Sequence, residues 1–246
     1  LYVNATEDFK NIRIVLCGTS HPGNIGSAAR AMRTMGLTQL MLVNPERFPD
    51  PQANWMASHA TGVLESAKVC STLDEALLGA GFAVACTARS RELSLPLLDP
   101  RQAAGELLRV AATAPVALVF GNETAGLSND EVGRCHRIAS IPADPAYSSL
   151  NLAAAVQVFC YELRMAAGAV LAGEKPQVPA AHEDVERFYA SLEQSLVETG
   201  FIDPEYPKKL MPRMRRLFNR AVLEVEEVNI LRGILKALTR SSEKYK

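Results

Sequence analysis

Five short apolar runs alternate along this chain with segments of helical periodicity, and that alternation limits the folds open to it. The runs are Ile12–Cys17, Gln39–Val43, Phe82–Thr87, Val116–Phe120 and Arg137–Ile141. Between them lie helix-like stretches at about Ile25–Met35, Leu73–Leu78, Arg101–Ala112 and Asn129–Cys135. Strands separated by helices favour a mostly parallel sheet covered on both faces, an α/β architecture. Thr72 with Glu75 and Ser128 with Glu131 read as capping boxes. Asn24 can cap the first helix, and Gly36 can end it.

Three turns at strand ends carry the chemistry. The first is His21-Pro22-Gly23-Asn24-Ile25-Gly26-Ser27, with Arg30 behind it; the second is Phe120-Gly121-Asn122-Glu123-Thr124-Ala125-Gly126-Leu127; the third is Tyr147-Ser148-Ser149-Leu150-Asn151-Leu152. Such turns gather at the carboxyl edge of a parallel sheet, where ligands bind. Gly26, Ser27, Ala28 and Ala29 keep the first helix slim, so another backbone or a ligand can approach it. Arg30 on that helix suits a phosphate or carboxylate, and equally a surface ion pair. The backbone N–H groups around Gly121 and Gly126 can meet an adenosyl or phosphate group. Glu123 can cap a neighbouring helix or orient a basic residue. Ser148, Ser149 and Asn151 place three hydrogen-bonding side chains at a helix start, where a cap needs only one.

Several classes are disfavoured. No GxxxxGK[ST] marks a P-loop, no GxGxxG a dinucleotide site and no GxSxG a serine hydrolase. His21, His59, His136 and His182 lack zinc-ligand spacing, and no metal is expected. Cys17, Cys70, Cys86, Cys135 and Cys160 show no CxxC spacing, which predicts buried free thiols and a cytoplasmic setting. No apolar stretch reaches the roughly 20 residues of a membrane span, and Leu1–Lys10 has no signal-like pattern.

A long apolar helix follows at about Leu150–Ala169, then a Pro-containing stretch, then three amphipathic helical patterns. The chain thus divides into an α/β domain over 10–170, a linker over 171–182 and a small helical domain over 183–246. Residues 207–246 hold 11 Lys/Arg against 4 Asp/Glu, a balance of +7, while the remainder carries −8. A basic tail on an acidic body predicts a polyanionic partner.

Taken together, HPGNIGSAARAM, FGNETAGLSNDE and PADPAYSSLNLAAAVQV resemble the three motifs of the SpoU-type (TrmH-like) RNA ribose 2′-O-methyltransferases of the SPOUT superfamily. The resemblance implies a C-terminal trefoil knot in the sheet domain, an S-adenosylmethionine pocket and a homodimer with its active site near the subunit interface. It assigns the cofactor to Cys86, Thr87, Ala88, Gly121, Ile141, Ser148, Ser149 and Leu150. It assigns catalysis to Arg30, with Asn24, Glu123, Ser149 and Asn151. Arg30 is either the base proposed for the family or, since arginine side chains stay protonated in proteins, a grip on the phosphate beside the target ribose. Glu186-Arg187-Phe188-Tyr189, Thr199-Gly200-Phe201-Ile202, Met214-Arg215-Arg216-Leu217-Phe218 and Asn229-Ile230-Leu231-Arg232-Gly233-Ile234 resemble the branch that methylates cytidine or uridine 32 in the tRNA anticodon loop. Lys208, Lys209, Arg213, Arg215, Arg216 and Arg220 would then hold tRNA phosphates. Another tRNA position, ribosomal RNA, or an RNA-binding protein with an inactive pocket are the alternatives.

Overall fold

The run Ile12-Arg13-Ile14-Val15-Leu16-Cys17 sends alternate side chains to opposite faces of a sheet, and both faces are covered. The computed structural model describes residues 8–88, 95–168, 178–206 and 208–243. Its strands are β1 (Ile12–Cys17), β2 (Gln39–Val43), β3 (Lys68–Cys70), β4 (Phe82–Cys86), β5 (Leu97–Leu98), β6 (Val116–Phe120) and β7 (Arg137–Ala139). They form one sheet in the order β3-β2-β1-β6-β4-β7-β5, with every pairing parallel. On one face, Ile12, Ile14 and Leu16 share a core with α1 (Pro22–Met35), α2 (Pro51–Ala57), α3 (Thr61–Glu65), α5 (Pro100–Ala111) and α7 (Leu152–Ala167). On the other, Val15 and Cys17 pack with α4 (Leu73–Leu77) and α6 (Asn129–Gly133). Arg13 also faces that side and donates to the Ala76 and Leu78 carbonyls at the end of α4, at 3.1 and 2.6 Å.

The first helix corrects one expectation. It begins at Pro22, and its cap is His21, whose Nδ1 accepts from the Gly23 amide at 3.2 Å. Proline at the first helical position presets the backbone dihedral there, which leaves Asn24 inside the helix with its side chain available. Gly36 ends the helix at φ 93°, a conformation that favours glycine. The close neighbour of the slim segment is a backbone: a Cβ added to Gly26 would overlap the Ala53 carbonyl of α2. Ser128 and Glu131 form both halves of a capping box. Thr72 accepts from the Glu75 amide, whereas the Glu75 carboxylate takes the Ser71 amide instead. The β4 and β7 strands end before Thr87 and Ile141, and both residues turn into the cleft described below.

Beyond the sheet, α8 (His182–Glu198), α9 (Leu210–Ala221) and α10 (Val225–Glu243) build a second core around Phe188, Tyr189, Leu192 and Val228. These helices are fastened to the body. Buried Asn219 accepts from the Tyr189 hydroxyl at 2.7 Å and donates to the Cys135 and Gly133 carbonyls at 2.9 and 3.2 Å. Val222 belongs to the main sheet core. Residues 171–177 of the expected linker lie outside the described residues; Ala180 donates to the Leu223 carbonyl, and the His182 amide to that of Ala80. Among the described residues, no helix is long and apolar enough to cross a membrane, and no group of three His, Cys, Asp or Glu could hold a metal ion. All five cysteines are free, and Cys17, Cys70, Cys135 and Cys160 are buried.

His136, buried just before β7, accepts at Nδ1 from the Ala83 amide at 3.1 Å. Burial, reinforced by His182 and Arg137, pushes its pKa down to about 3. An unfolded histidine titrates near pH 6.5, so below that pH the unfolded chain takes up a proton that the native imidazole refuses. Stability from this group is therefore complete above about pH 6.5 and falls by about 1.4 kcal/mol per pH unit toward pH 3. Urea midpoints measured at pH 7 and pH 5 should show this fall in the wild type. His136→Asn, which keeps an acceptor but does not titrate, should flatten it.

Candidate active site

Register brings three strand ends together. Cys86 of β4 pairs with Phe120 of β6 and with Ala139 of β7, and these last residues floor a cleft of about 650 Å³. Asn24 enters it from the first turn, Gly121–Thr124 and Gly126 from the second, and Tyr147–Leu152 from the third. Ile141, Leu150, Ala155 and Phe159 supply apolar wall. Each position that the resemblance assigns to cofactor (Cys86, Thr87, Ala88, Gly121, Ile141, Ser148, Ser149 and Leu150) lines this one cleft. Burial pushes the Cys86 thiol well above its ordinary pKa, so at neutral pH it is a protonated, weakly polar surface rather than a nucleophile.

A hydrogen-bond relay joins the turns. Glu123 accepts from the Ser20 amide and hydroxyl, both at 3.1 Å, from the His21 amide at 3.4 Å and from Asn24 Nδ2 at 2.8 Å. Asn24 Oδ1 in turn accepts from Asn151 Nδ2 at 3.0 Å. Asn151 Oδ1 accepts from the Ala153 and Ala154 amides and so caps α7. One carboxylate thus links the first helix, the second turn and the start of α7. Burial alone would raise the Glu123 pKa, but the bonds from Asn24, Ser20 and His21 outweigh it and hold the carboxyl below its ordinary value. Asn122 ties the second turn to the end of β1, donating to the Gly18 carbonyl at 2.6 Å and accepting from the Thr124 and Ala125 amides.

Arg30 is exposed on α1 and is not part of the cleft lining. Among the described residues its guanidinium has no hydrogen-bond or ion-pair partner. The Ser148 and Ser149 hydroxyls likewise have none. The basic positions of the tail differ in their surroundings. Lys208, Lys209 and Arg213 line a depression where the chain passes from α8 to α9. Arg215 instead pairs with both Glu186 oxygens, at 2.5 and 2.7 Å, and lies 4.4 Å from the centre of the Tyr189 ring. Arg216 is half-buried beside α6, and Arg220 is exposed. Phe120, Tyr147 and Phe159 complete the cleft without having been singled out individually. The first two lie within the recognised motifs. Only the packing of α7 against the sheet brings Phe159 there.

Residues 11–161 match the SpoU rRNA Methylase family, and residues 183–246 match the tRNA methyltransferase TrmJ C-terminal domain. The tRNA (cytidine/uridine-2′-O-)-methyltransferase TrmJ of Cronobacter sakazakii is 52% identical over 241 residues, covering 94% of this chain and 97% of the relative. TrmJ from Z. mobilis ZM4 superposes with a TM-score of 0.81 at 34% identity, covering 92% of this chain and 98% of that one. The SpoU methyltransferase AviRb from Streptomyces viridochromogenes, solved in complex with the cofactor AdoMet, superposes with a TM-score of 0.52 at 26% identity, over 64% of this chain and 61% of that one. With the family motifs converging on one cleft and this identity along nearly the whole length, the chain belongs to the SpoU rRNA Methylase family.

Proposed function

We propose that the cleft binds S-adenosylmethionine and that the protein methylates the ribose 2′-oxygen of cytidine or uridine 32 in tRNA, in the cytoplasm. The observation that carries the reading is the relay Glu123–Asn24–Asn151, which closes three separate turns around one pocket. The likeness along both parts of the chain to tRNA (cytidine/uridine-2′-O-)-methyltransferases supports the substrate class.

The residues present fit the cofactor. Cys86, Gly121 and Ala139 keep the floor open, and a Cβ on Gly121 would overlap the Gly126–Leu127 backbone, so that turn stays free of a side chain. Ile141, Leu150 and Phe159 offer apolar surface for an adenine, with the Thr87–Ala88 and Gly121 backbone at hand for its polar edge. When bound, the cofactor supplies a methyl group already activated by a sulfonium, which leaves alignment and proton removal to the protein. Ser149, with an unpartnered exposed hydroxyl, is placed to hold the ribose. Asn24 and Asn151, fixed by Glu123, orient the edge where the 2′-oxygen must sit. The exposed, unpaired Arg30 suits a phosphate grip that steadies negative charge on that oxygen. The trefoil threading that the family implies is part of this proposal; the segment after β7 must cross the cleft to reach α7, which packs against α1 and α5.

A second copy belongs to the reading. Leu152, Val156, Phe159 and Leu163 turn the main apolar face of α7 into the protein, while Tyr161 and Met165 remain 47% and 50% exposed on its outer side. Covering such side chains is what a dimer interface does. Tyr161→Glu with Met165→Glu should convert a dimer into a monomer in sedimentation velocity; an unaltered sedimentation coefficient would place the interface elsewhere.

The transfer reaction is tested with labelled S-adenosylmethionine offered to unmodified tRNA and to ribosomal RNA. Label in tRNA, at a linkage made resistant to alkaline hydrolysis by 2′-O-methylation, is the expected result. Label only in ribosomal RNA, or in alkali-sensitive linkages, would overturn it.

A further inference from the structure

We infer that the depression between α8 and α9 is a second RNA contact, a cup that stacks one unpaired nucleotide of the tRNA. The inference rests on the proposed tRNA substrate. Its local structure follows from the sequence. Gly200, at φ 74°, ends α8 in a Schellman motif, with its amide on the Val197 carbonyl and the Phe201 amide on that of Leu196, both at 2.9 Å. Ile202 then turns inward and is 5% exposed, which throws Phe201 outward at 71%. Asp203 accepts the Glu205 amide at Oδ1 and the Tyr206 amide at its carbonyl, a turn that presents Tyr206 at 75% exposure. Neither ring belongs to the core of the helices.

Together with Asp203, Lys208, Lys209 and Arg213 these rings line a depression of about 370 Å³, the scale of a single nucleotide. Exposed aromatic rings interleaved with cations are what a splayed base and its flanking phosphates require: the rings stack on the base, and the cations meet the backbone. An apolar partner would use the rings but leave the charges of Lys208 and Arg213 unmatched. The cup thus adds base stacking to what the tail charges supply, and phosphate contacts alone position RNA without selecting a nucleotide.

The test compares wild type with the Phe201→Ala/Tyr206→Ala double variant and with Phe201→Trp, using unmodified tRNA as the probe. Both rings are exposed, so the fold should survive; circular dichroism and cofactor affinity check this. Loss of base stacking should weaken tRNA binding by roughly tenfold or more, raising KM more than it lowers kcat. Phe201→Trp should keep wild-type affinity, and its emission, measured against the Trp55 background, should be quenched by tRNA. A double variant that binds and methylates tRNA as the wild type does would overturn the cup and leave the methyltransferase reading intact. A wild type that binds tRNA through these rings yet transfers no methyl group would sustain the cup and overturn the catalytic reading.

Discussion

Arg30→Ala should lower single-turnover methyl transfer to tRNA by two to three orders of magnitude, about 3–4 kcal/mol of transition-state stabilisation. Thermal stability should stay near that of wild type, because Arg30 is exposed and has no partner among the described residues. A surface arginine that contributed only an ion pair would have one in the structure. Arg30→Lys separates charge from shape at this position. A lysine keeps the charge but loses the planar fork, so partial activity would mean that positive charge beside the phosphate suffices, while loss as deep as in the alanine variant would mean that the bidentate fork is required. The measurement is rapid-quench transfer from saturating labelled S-adenosylmethionine, with cofactor affinity measured in parallel and expected to be unchanged.

Glu123→Gln should disable the site from within. The carboxylate accepts from four donors. An amide in its place turns two hydrogens toward them and frees Asn24, and through it Asn151. We expect kcat/KM to fall by about a hundredfold and stability by about 1 kcal/mol, because Glu123 is only half-buried and water offsets part of the lost bonding. The pH dependence has a definite sign. Because the native Glu123 pKa lies below the ordinary value, its contribution is complete above the unfolded pKa near 4.3. It is lost as pH falls through the depressed native value. Stability curves from pH 6 to 3 should therefore show an acid limb in the wild type that is diminished in Glu123→Gln. An unchanged limb together with full activity would remove Glu123 from the account.

The sheet was legible in the sequence because its long strands are buried on both faces and read as unbroken apolar runs. The bounds of β1, β2 and β6 agree with the sequence reading. The edge was not legible, for physical reasons. β3 is three residues long with Lys68 and Val69 exposed, and β5 has only two residues, too few to show a period. α2 buries only Ala53 and Ala57, so it shows no apolar stripe, although Asp50-Pro51 carried the cap and first-turn signal. In the site, the convergence of the three turns could be expected from their places at strand ends. The partners could not. Asn24 read as a cap because its residue type suits one, but His21 takes that role and leaves Asn24 to bridge Glu123 and Asn151. Among the basic residues, charge alone gave Arg215 the same weight as Arg213. The structure commits Arg215 to Glu186 and Tyr189.

The claim that three joined turns deliver a methyl group to one ribose is tested most directly by substituting a single nucleotide in the RNA. Unmodified tRNA and the same tRNA carrying a 2′-deoxy nucleotide at position 32 would be incubated with the protein and labelled S-adenosylmethionine, and the label located by nuclease digestion and mass spectrometry. One methyl group is expected on the ribose of nucleotide 32 and none on the deoxy substrate. Transfer that persists on the deoxy substrate, or that falls on another nucleotide, would contradict it.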